Sequence, residues 1–427
     1  MKRICLVPTC LIFISLLIFG CSGGSGNIEE KITAVENSLM GPVISTGIVQ
    51  AEKTMAEEMT KYTVPGVGIS LINDNKIEWS KGYGILKSGG NDSVTANTLF
   101  PAGSVSRTIM AATVLNLARR GLVDLDGSAG DYADGLEVTV RDILNNPDND
   151  IFILQRLIED AVGLPLAEAI KSLVFEPLGM EHSIVASTIS IQQMDQIVTG
   201  HDIDGKTIEI SENPLSDLTV TQIWATASDL AVFALELSQS YRGQSDKLLT
   251  QEMAAEMLKS KNTQKGMGLV VRSAGDSLNF TITSENDGFY SIIFCYPTQG
   301  QGVIVMTNSA SGRFIAGNIL RAVSKVYNWP DYKSKKKYIN PTNAAVFDSL
   351  SGVYKFENSD NSLEVMRHQS ALYVIFHPEE NRIEILPTSD SGYFSAELGW
   401  PLVFKRGSDG RFDRLILSGT YHAKKIK

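Results

Sequence analysis

The sequence predicts an α+β fold, in which an antiparallel sheet flanked by helices is followed by a small all-β meander or barrel. Two observations predict the first part: strand-like runs precede a series of helical patterns, and further strands with a closing helix return after residue 266. A third observation predicts the second part, because from about residue 345 the pattern changes to short alternating runs separated by turn residues. A chain of 427 residues is long enough for two or three such domains.

The first domain is expected over residues 61–330. Pro65-Gly66 opens a predicted hairpin with strands over residues 67–72 and 77–81. Ser104 precedes a helical pattern that continues to about residue 120. The later predicted elements are helices over residues 152–162, 166–173, 227–237 and 251–258, strands over 267–272, 278–283, 290–295 and 302–306, and a helix over 314–326.

A linker is expected over residues 331–344 and a separate β domain over residues 345–427. The linker contains the basic run Lys333-Ser-Lys-Lys-Lys-Tyr338, which we interpret as solvated. The β domain shows period-two alternation and no helical pattern. Its predicted strands cover residues 352–356, 363–367, 372–376, 382–386, 393–397, 402–405 and 412–417.

The N-terminus has the features of a targeting signal. The basic Met1-Lys2-Arg3 precedes an apolar stretch over residues 4–20, which is placed like a secretory signal peptide. The stretch ends at Gly20-Cys21, which resembles a bacterial lipobox, so Cys21 is the expected lipidation site. Residues 21–60 would form a flexible tether and an N-terminal helix. We therefore expect a lipoprotein of the bacterial cell envelope, held on the membrane by a lipid anchor; the alternatives are an uncleaved anchor and an ordinary signal peptide.

Composition limits the classes of partner and cofactor. A formal net charge of -10 argues against non-specific nucleic-acid binding. Once the signal peptide and the lipidated cysteine are set aside, Cys295 is the remaining cysteine, and its apolar neighbours indicate a core residue. The five histidines are scattered and no Cys/His cluster has metal-ligand spacing, so we expect no metal and no cofactor.

Several short stretches together resemble one family. They occur in order between about residues 60 and 330. They are Val64-Pro-Gly-Val-Gly-Ile69, Trp79-Ser-Lys-Gly-Tyr-Gly84, Thr98-Leu-Phe100 with Gly103-Ser-Val-Ser106, Val138-Thr-Val-Arg-Asp-Ile-Leu144, Phe175-Glu-Pro-Leu-Gly-Met180, Trp224-Ala-Thr-Ala-Ser-Asp-Leu230 and Gly302-Val-Ile-Val-Met-Thr-Asn308. This order and spacing is similar to that of the family containing class C β-lactamases, penicillin-binding proteins and related esterases. The C-terminal meander resembles the lipocalin-like domain often appended to members of that family.

The resemblance implies a nucleophile motif, Ser-x-x-Lys, at the start of a helix. In active members the serine is acylated and the lysine, one turn later, can take its proton. The matching stretch here is Ser104-Val-Ser-Arg107, which keeps the serine and replaces the lysine by arginine. Ser104 is therefore the candidate nucleophile, and the position of its base holds Arg107.

The resemblance also implies a tyrosine motif, which is replaced here. The corresponding place holds Asn146-Pro-Asp148, and no tyrosine occurs between Tyr132 and Tyr241. The family usually has several dozen residues before this motif, whereas here Leu144 runs almost directly into Asn149. We therefore expect the helical part of the domain to be shortened near residues 144–149.

The third implied motif is Lys/His-Thr-Gly or His-Gly-Gly on the strand that lines the cleft. Alignment through Asn286-Asp-Gly-Phe289 places Ile282-Thr-Ser284 there, so the cation and the glycines are lost. Glu285 would place a carboxylate near a developing oxyanion if its side chain faced inward.

Each candidate residue has a structural alternative. Ser104 and Ser106 are suited to capping a helix N-terminus. Arg107 is expected to be a salt-bridged structural arginine in preference to a clamp for a substrate carboxylate. Asp148 and Glu285 are expected to be surface carboxylates in preference to replacement bases.

Two functions follow from these motifs. The loss of all three partners of Ser104 favours a catalytically impaired envelope protein that binds a ligand, such as a small acyl compound or a peptidoglycan-like peptide. The alternative is an active serine hydrolase, of the esterase, β-lactamase or D-alanyl peptidase type, that acts through acylation of Ser104.

Overall fold

The main domain is built around a six-stranded antiparallel sheet with helices on both faces. The computed structural model describes residues 25–46, 51–130, 135, 137–146, 151–189, 197–208, 223–259, 267–272, 278–340, 342, 344–377, 382–395 and 397–427. Up to residue 338 its elements are α1 (Ser25–Glu36), β1 (Val43–Thr46), α2 (Met55–Lys61), β2 (Gly66–Asn73), β3 (Lys76–Gly84), β4 (Phe100–Pro101), α3 (Ser104–Arg119), α4 (Val140–Asn145), α5 (Ile151–Val162), α6 (Leu166–Ile170), α7 (Glu176–Leu178), β5 (Ile184–Val185), β6 (Ile223–Ala225), α8 (Ala227–Tyr241), α9 (Gln251–Met257), β7 (Val270–Arg272), β8 (Asn279–Asn286), β9 (Phe289–Tyr296), β10 (Gln301–Thr307), α10 (Gly312–Val326) and β11 (Lys335–Tyr338). A π turn (Lys171–Phe175) joins α6 to α7, and a 3-10 turn (Ala186–Thr188) follows β5.

Strand alternation divides the core of the main domain into two layers. The sheet order is β3-β2-β10-β9-β8-β7, and every neighbouring pair is antiparallel. In β9, Ile293 and Cys295 face the layer that contains α3, α5 and α8, whereas Phe294 and Tyr296 face the layer that contains α1 and α10. Because successive strand residues point to opposite faces, one sheet supports both layers. This arrangement confirms the predicted fold class.

Helix α3 passes through the centre of the first layer and positions the candidate nucleophile at its N-terminus. Every residue from position 105 to position 117 is buried, as expected for a helix with apolar or small residues on all sides. The predicted helix from residue 104 is therefore confirmed, and it is anchored along almost its whole length.

The segment before the sheet differs from the flexible tether and N-terminal helix expected over residues 21–60. It forms α1, then strand β1, then α2. Strand β1 pairs in parallel with β11, so four residues of the expected linker belong to a two-stranded sheet. Lys335, Lys336 and Tyr338 of this strand are exposed, as expected for a solvated run. In β1, Val43 and Ser45 are buried, whereas Ile44 and Thr46 are partly exposed. This alternation covers only four residues, so the helical pattern around it led to the prediction of a helix.

The C-terminal region is a closed eight-stranded barrel. Its elements are α11 (Ala344–Leu350), β12 (Gly352–Phe356), β13 (Ser362–His368), β14 (Ala371–His377), β15 (Arg382–Pro387), β16 (Gly392–Phe394), β17 (Pro401–Arg406), β18 (Phe412–Leu417) and β19 (Tyr421–Lys425). The seven expected strands are present. An eighth strand, β19, was not predicted, and it closes the barrel by pairing with both β12 and β18. Helix α11 was also not expected, and its Phe347 and Leu350 belong to the barrel core.

No helix in the described part of the chain is both long and apolar enough to span a bilayer. The expected signal peptide and Cys21 lie outside the described residues.

Candidate active site

Ser104 is the first residue of α3, and its side chain is exposed. Its backbone N–H donates a 2.9 Å hydrogen bond to the hydroxyl oxygen of Ser284 on β8. The Ser104 hydroxyl makes no hydrogen bond to any residue that the structure describes. The N-cap position belongs to Gly103, so the alternative capping role of Ser104 is wrong, because the helix already begins at Ser104, one residue too early for Ser104 to cap it.

A glycine makes the contact between the start of α3 and β8 possible. Gly103 has a φ of 54°, in the left-handed region that favours glycine. A Cβ atom at this position would lie 1.9 Å from the Ser284 hydroxyl oxygen and 2.6 Å from the Asn286 side-chain nitrogen. The loop is thus packed directly against the strand, and this packing places the Ser104 amide on Ser284.

Ser106 belongs to the interior of the fold. It is 1% exposed, and its hydroxyl accepts a 3.0 Å hydrogen bond from the N–H of Ile223 on β6. Its expected role as a helix cap is therefore wrong, since its side chain bonds a neighbouring strand and not its own helix.

Arg107 is buried and reaches the C-terminal end of α4. Its Nη2 donates to the carbonyl of Ile143 at 3.1 Å and to the carbonyl of Asn146 at 2.7 Å. The last carbonyls of a helix have no partner within the helix, so a guanidinium there satisfies them and complements the helix dipole. These two contacts give Arg107 a structural role, and both are with backbone carbonyls; the expected salt bridge is not among them.

The place of the tyrosine motif is only partly described. Asn146 is the residue that ends α4 and is one of the acceptors for Arg107. Pro147 and Asp148 lie outside the described residues, so the proposed base Asp148 is not placed by the structure. Helix α5 follows at Ile151, which leaves residues 146–150 between the two helices.

The third motif lies on β8, and strand alternation decides which side chains face α3. Ile282 is 1% exposed and belongs to the core layer around α3. Ser284, two residues later on the same face, is buried against the start of α3. Glu285 faces the other way and is exposed, and its carboxylate forms a 2.9 Å ion pair with Nη1 of Arg313. It is a surface carboxylate, as expected, and does not approach the Ser104 amide.

Sequence reasoning did not identify Ser284 as the partner of Ser104. The sequence did contain a signal for this contact, because the alignment placed Ser284 at a glycine position of the motif. A side chain at that position must fill the space next to the nucleophile. The two positions that sequence reasoning did connect, Ser104 and Arg107, are not brought together by any described hydrogen bond.

Two other expectations concern metal ions and the lone thiol. Among the described residues, no group of three or more His, Cys, Asp or Glu side chains could hold a metal ion. Cys295 is 1% exposed, and burial raises the pKa of its thiol well above the ordinary value. A thiol in that state is a core residue and a poor nucleophile.

Known proteins resemble this chain in sequence and in fold. The family model described as Beta-lactamase matches residues 51–146 and 148–324. The curated relatives include the unguisins hydrolase of Aspergillus violaceofuscus, 22% identical over 35% of this chain and 36% of that protein. They also include a beta-lactamase of Psychrobacter immobilis, 30% identical over 19% of this chain and 20% of that protein. A third is a beta-lactamase of Pseudomonas fluorescens, 22% identical over 42% of this chain and 61% of that protein. The chain thus spans less than two thirds of each of these relatives.

Solved structures share the fold at low sequence identity. The octameric penicillin-binding protein homologue from Pyrococcus abyssi superposes with a TM-score of 0.58 at 17% identity, over 87% of this chain and 98% of that one. The D-alanine carboxypeptidase AmpC from Burkholderia cenocepacia gives a TM-score of 0.55 at 17% identity, over 71% of this chain and 99% of that one.

Proposed function

This chain belongs to the Beta-lactamase family, and we propose that it is an envelope lipoprotein whose β-lactamase-like domain binds a ligand without the hydrolytic activity typical of that family. The observation that carries the proposal is the hydrogen bond from the Ser104 amide to Ser284. It bears on catalysis because the nucleophile's own N–H is one of the donors that stabilise the oxyanion in serine hydrolases.

Acyl transfer needs oxyanion donors that are free when the negative charge develops. The Ser104 amide already has an acceptor 2.9 Å away, so a substrate oxygen would have to displace the Ser284 hydroxyl. Losing one oxyanion donor costs about a hundred- to a thousandfold in rate in serine proteases. The engaged amide therefore supports a domain in which acylation of Ser104 is slow.

The second support is Arg107. The pKa of an arginine lies so far above neutral that deprotonating it at pH 7 would cost about 7–9 kcal/mol. Its guanidinium also donates to the carbonyls of Ile143 and Asn146 at the C-terminal end of α4. Arg107 can provide charge and hydrogen bonds, and it cannot serve as a base.

The envelope location is part of the same proposal. Its support is the basic start, the apolar stretch and Gly20-Cys21 at the N-terminus. A protein held there meets small acyl compounds and peptidoglycan-like peptides, which are the ligands we propose for it. Attachment to the membrane would be through lipid on Cys21.

The alternative is a serine hydrolase that acts through Ser104 with an unfamiliar base. The observation that favours it is the exposed Ser104 side chain at the N-terminus of a 16-residue helix. A helix N-terminus stabilises a developing anion.

One experiment separates the two functions. Purified protein is incubated with fluorescent penicillin and with a fluorophosphonate, and turnover of a chromogenic cephalosporin and a nitrophenyl ester is followed beside Ser104→Ala. We expect no covalent label, and turnover equal to that of Ser104→Ala. Labelling or turnover that disappears in Ser104→Ala would establish the hydrolase and exclude the binding role proposed here.

A further inference from the structure

A cavity of about 920 Å³ lies between the open end of the barrel and the main domain. The barrel contributes aromatic side chains, among them Phe356, Phe376 and Trp400, and the main domain contributes Tyr62 and Phe314. Ligand pockets are commonly about 300–1,000 Å³ and lined mostly by apolar and aromatic groups. This cavity has the size and the walls of a site for one small molecule.

The open end of the barrel leaves apolar side chains without full cover. Phe356, Phe376, Ile383 and Trp400 pack against the barrel core but are only partly buried. Phe376 and Trp400 meet edge to face, with their ring centroids 5.7 Å apart. Apolar surface left accessible in this way gains about 25 cal/mol for each Å² that a ligand covers.

The main domain forms the opposite wall and is tied to the barrel. The rings of Tyr62 and Phe314 stack with their centroids 5.4 Å apart. Nζ of Lys61 lies 3.0 Å from a carboxylate oxygen of Glu397 in the barrel region. The site is therefore composite, since neither domain alone encloses the cavity.

One cation in the cavity lining is available to an anionic head group. The lining includes Lys61, Arg313 and Arg382 against the carboxylates of Glu357 and Glu397. Lys61 is paired with Glu397, and Arg313 is paired with Glu285. Arg382, which is exposed, has no ion pair with any residue that the structure describes, so its charge is available to a ligand. Glu357, which is exposed, is the opposing charge in the lining.

We propose that this composite cavity binds an amphipathic carboxylate of fatty-acid size, with its apolar part against the aromatic wall and its carboxylate at Arg382. The inference rests on the proposed binding function and moves the ligand site from Ser104 to the barrel mouth. Burial of the apolar part provides the affinity, and the guanidinium of Arg382 orients the head group through charge-assisted hydrogen bonds.

The test uses the full chain and cis-parinaric acid, a fluorescent fatty acid. Of the four tryptophans in the sequence, the described cavity lining contains Trp400. We expect saturable binding with energy transfer from tryptophan, and Trp400→Phe, which removes the indole in the cavity wall, should lower the transfer. Ile383→Trp should narrow the cavity beside its aromatic wall and weaken binding more than about tenfold, whereas Ile383→Leu should not.

Arg382→Gln should weaken binding about two- to fivefold, which is the range for an exposed charge pair. Arg411→Gln, an arginine of the barrel outside the cavity lining, is the matched control and should not change the affinity. Absence of binding, or binding unaffected by Ile383→Trp in a protein with unchanged circular dichroism, would overturn the inference. Equal affinity for the methyl ester of the same acid would overturn the carboxylate assignment. None of these results depends on labelling of Ser104, so failure here is distinguishable from failure of the proposed function.

Discussion

The amide of Ser104 and the hydroxyl of Ser284 are joined by a 2.9 Å hydrogen bond that links the start of α3 to β8. Gly103 makes this bond possible, because any Cβ at that position would collide with Ser284. The bond places a structural contact where a serine hydrolase needs an open donor. It also predicts how replacements at Ser284 will behave.

Ser284→Ala should destabilise the fold. The Ser104 N–H would lose its acceptor, and we expect the free energy of unfolding to fall by about 0.5–1.5 kcal/mol. The matched control is Ser291→Ala, since Ser291 lies opposite Ser284 on β9 and its buried hydroxyl has no hydrogen-bond partner among the described residues. That control should be neutral or slightly stabilising in urea unfolding. Equal losses in both variants would mean that the bond adds nothing to stability.

The elements that sequence patterns predicted are those with local signals. The hairpin of β2 and β3, the helix from Ser104 and the strands around Cys295 follow from alternation and helical spacing. The β1–β11 pair was missed because its strands are four residues long and meet only through the tertiary fold. Strand β19 was missed because in Tyr421-His-Ala-Lys-Lys425 one small residue, Ala423, faces the barrel core.

The sequence predicts those features of the candidate site that depend only on which residue occupies each position. The arginine at position 107 and the apolar Ile282 can be recognised in the sequence alone. The direction in which Arg107 points depends on where α4 ends, and the contact of Ser104 with Ser284 depends on how a loop packs on a strand. Such relationships join distant parts of the chain, so no local pattern contains them.

Closure of the barrel by β19 predicts a large effect of one substitution. Ala423 is 1% exposed and belongs to the barrel core, so Ala423→Glu would place an unpaired carboxylate inside. We expect a loss of more than about 3 kcal/mol in the stability of the barrel. Lys424→Glu, at the next residue of the same strand with an exposed side chain, should change stability by less than about 0.5 kcal/mol. Thermal unfolding followed by far-ultraviolet circular dichroism measures both, and similar behaviour of the two variants would show that β19 does not close the barrel.

Asp229 at the start of α8 gives a pH dependence. Burial raises the pKa of its carboxyl above the ordinary 3.8. Hydrogen bonds donated by the Ser183 hydroxyl and the His182 amide lower the same pKa, but burial has the larger effect. Because the folded-state pKa is above the unfolded value, this group favours folding most below about pH 3.8, and the contribution is lost as the pH rises through the folded pKa. Asp229→Asn should remove this dependence. Urea unfolding of both proteins across that pH window is the measurement, and parallel pH curves would contradict the prediction.

Lipidation of Cys21 predicts a defined processing pattern. Each buried methylene contributes about 0.8 kcal/mol, so two or three acyl chains hold a protein stably on a membrane. Cys21→Ala should abolish metabolic labelling with palmitate and leave unprocessed precursor. Cys5→Ala and Cys10→Ala, which change cysteines of the expected signal peptide, are the matched controls and should be labelled normally. A mature N-terminus that is unmodified and lies beyond residue 21 would be incompatible with the lipoprotein assignment.

Arg107→Lys is the substitution that would restore the family's motif, and we expect it to destabilise the protein without restoring acylation. A single ammonium cannot reproduce the fixed geometry with which the guanidinium reaches the carbonyls of Ile143 and Asn146. The free energy of unfolding should fall by about 1–3 kcal/mol. The matched control is Arg119→Lys at the exposed end of the same helix, which should cost less than about 0.5 kcal/mol.

Acylation should stay absent in Arg107→Lys because a base alone does not complete the site. The Ser104 amide would still donate to Ser284, and the strand position of the lost cation would still hold the buried Ile282. Each missing oxyanion donor costs about a hundred- to a thousandfold in rate, so a recovered lysine leaves most of the barrier in place. Fluorescent penicillin labelling of Arg107→Lys, read beside the double variant that also carries Ser104→Ala, is the measurement. A labelled band in the single variant that is absent from the double variant would contradict this prediction. It would show that Arg107 alone prevents acylation of Ser104, and that substrate displaces the Ser284 hydroxyl from the Ser104 amide.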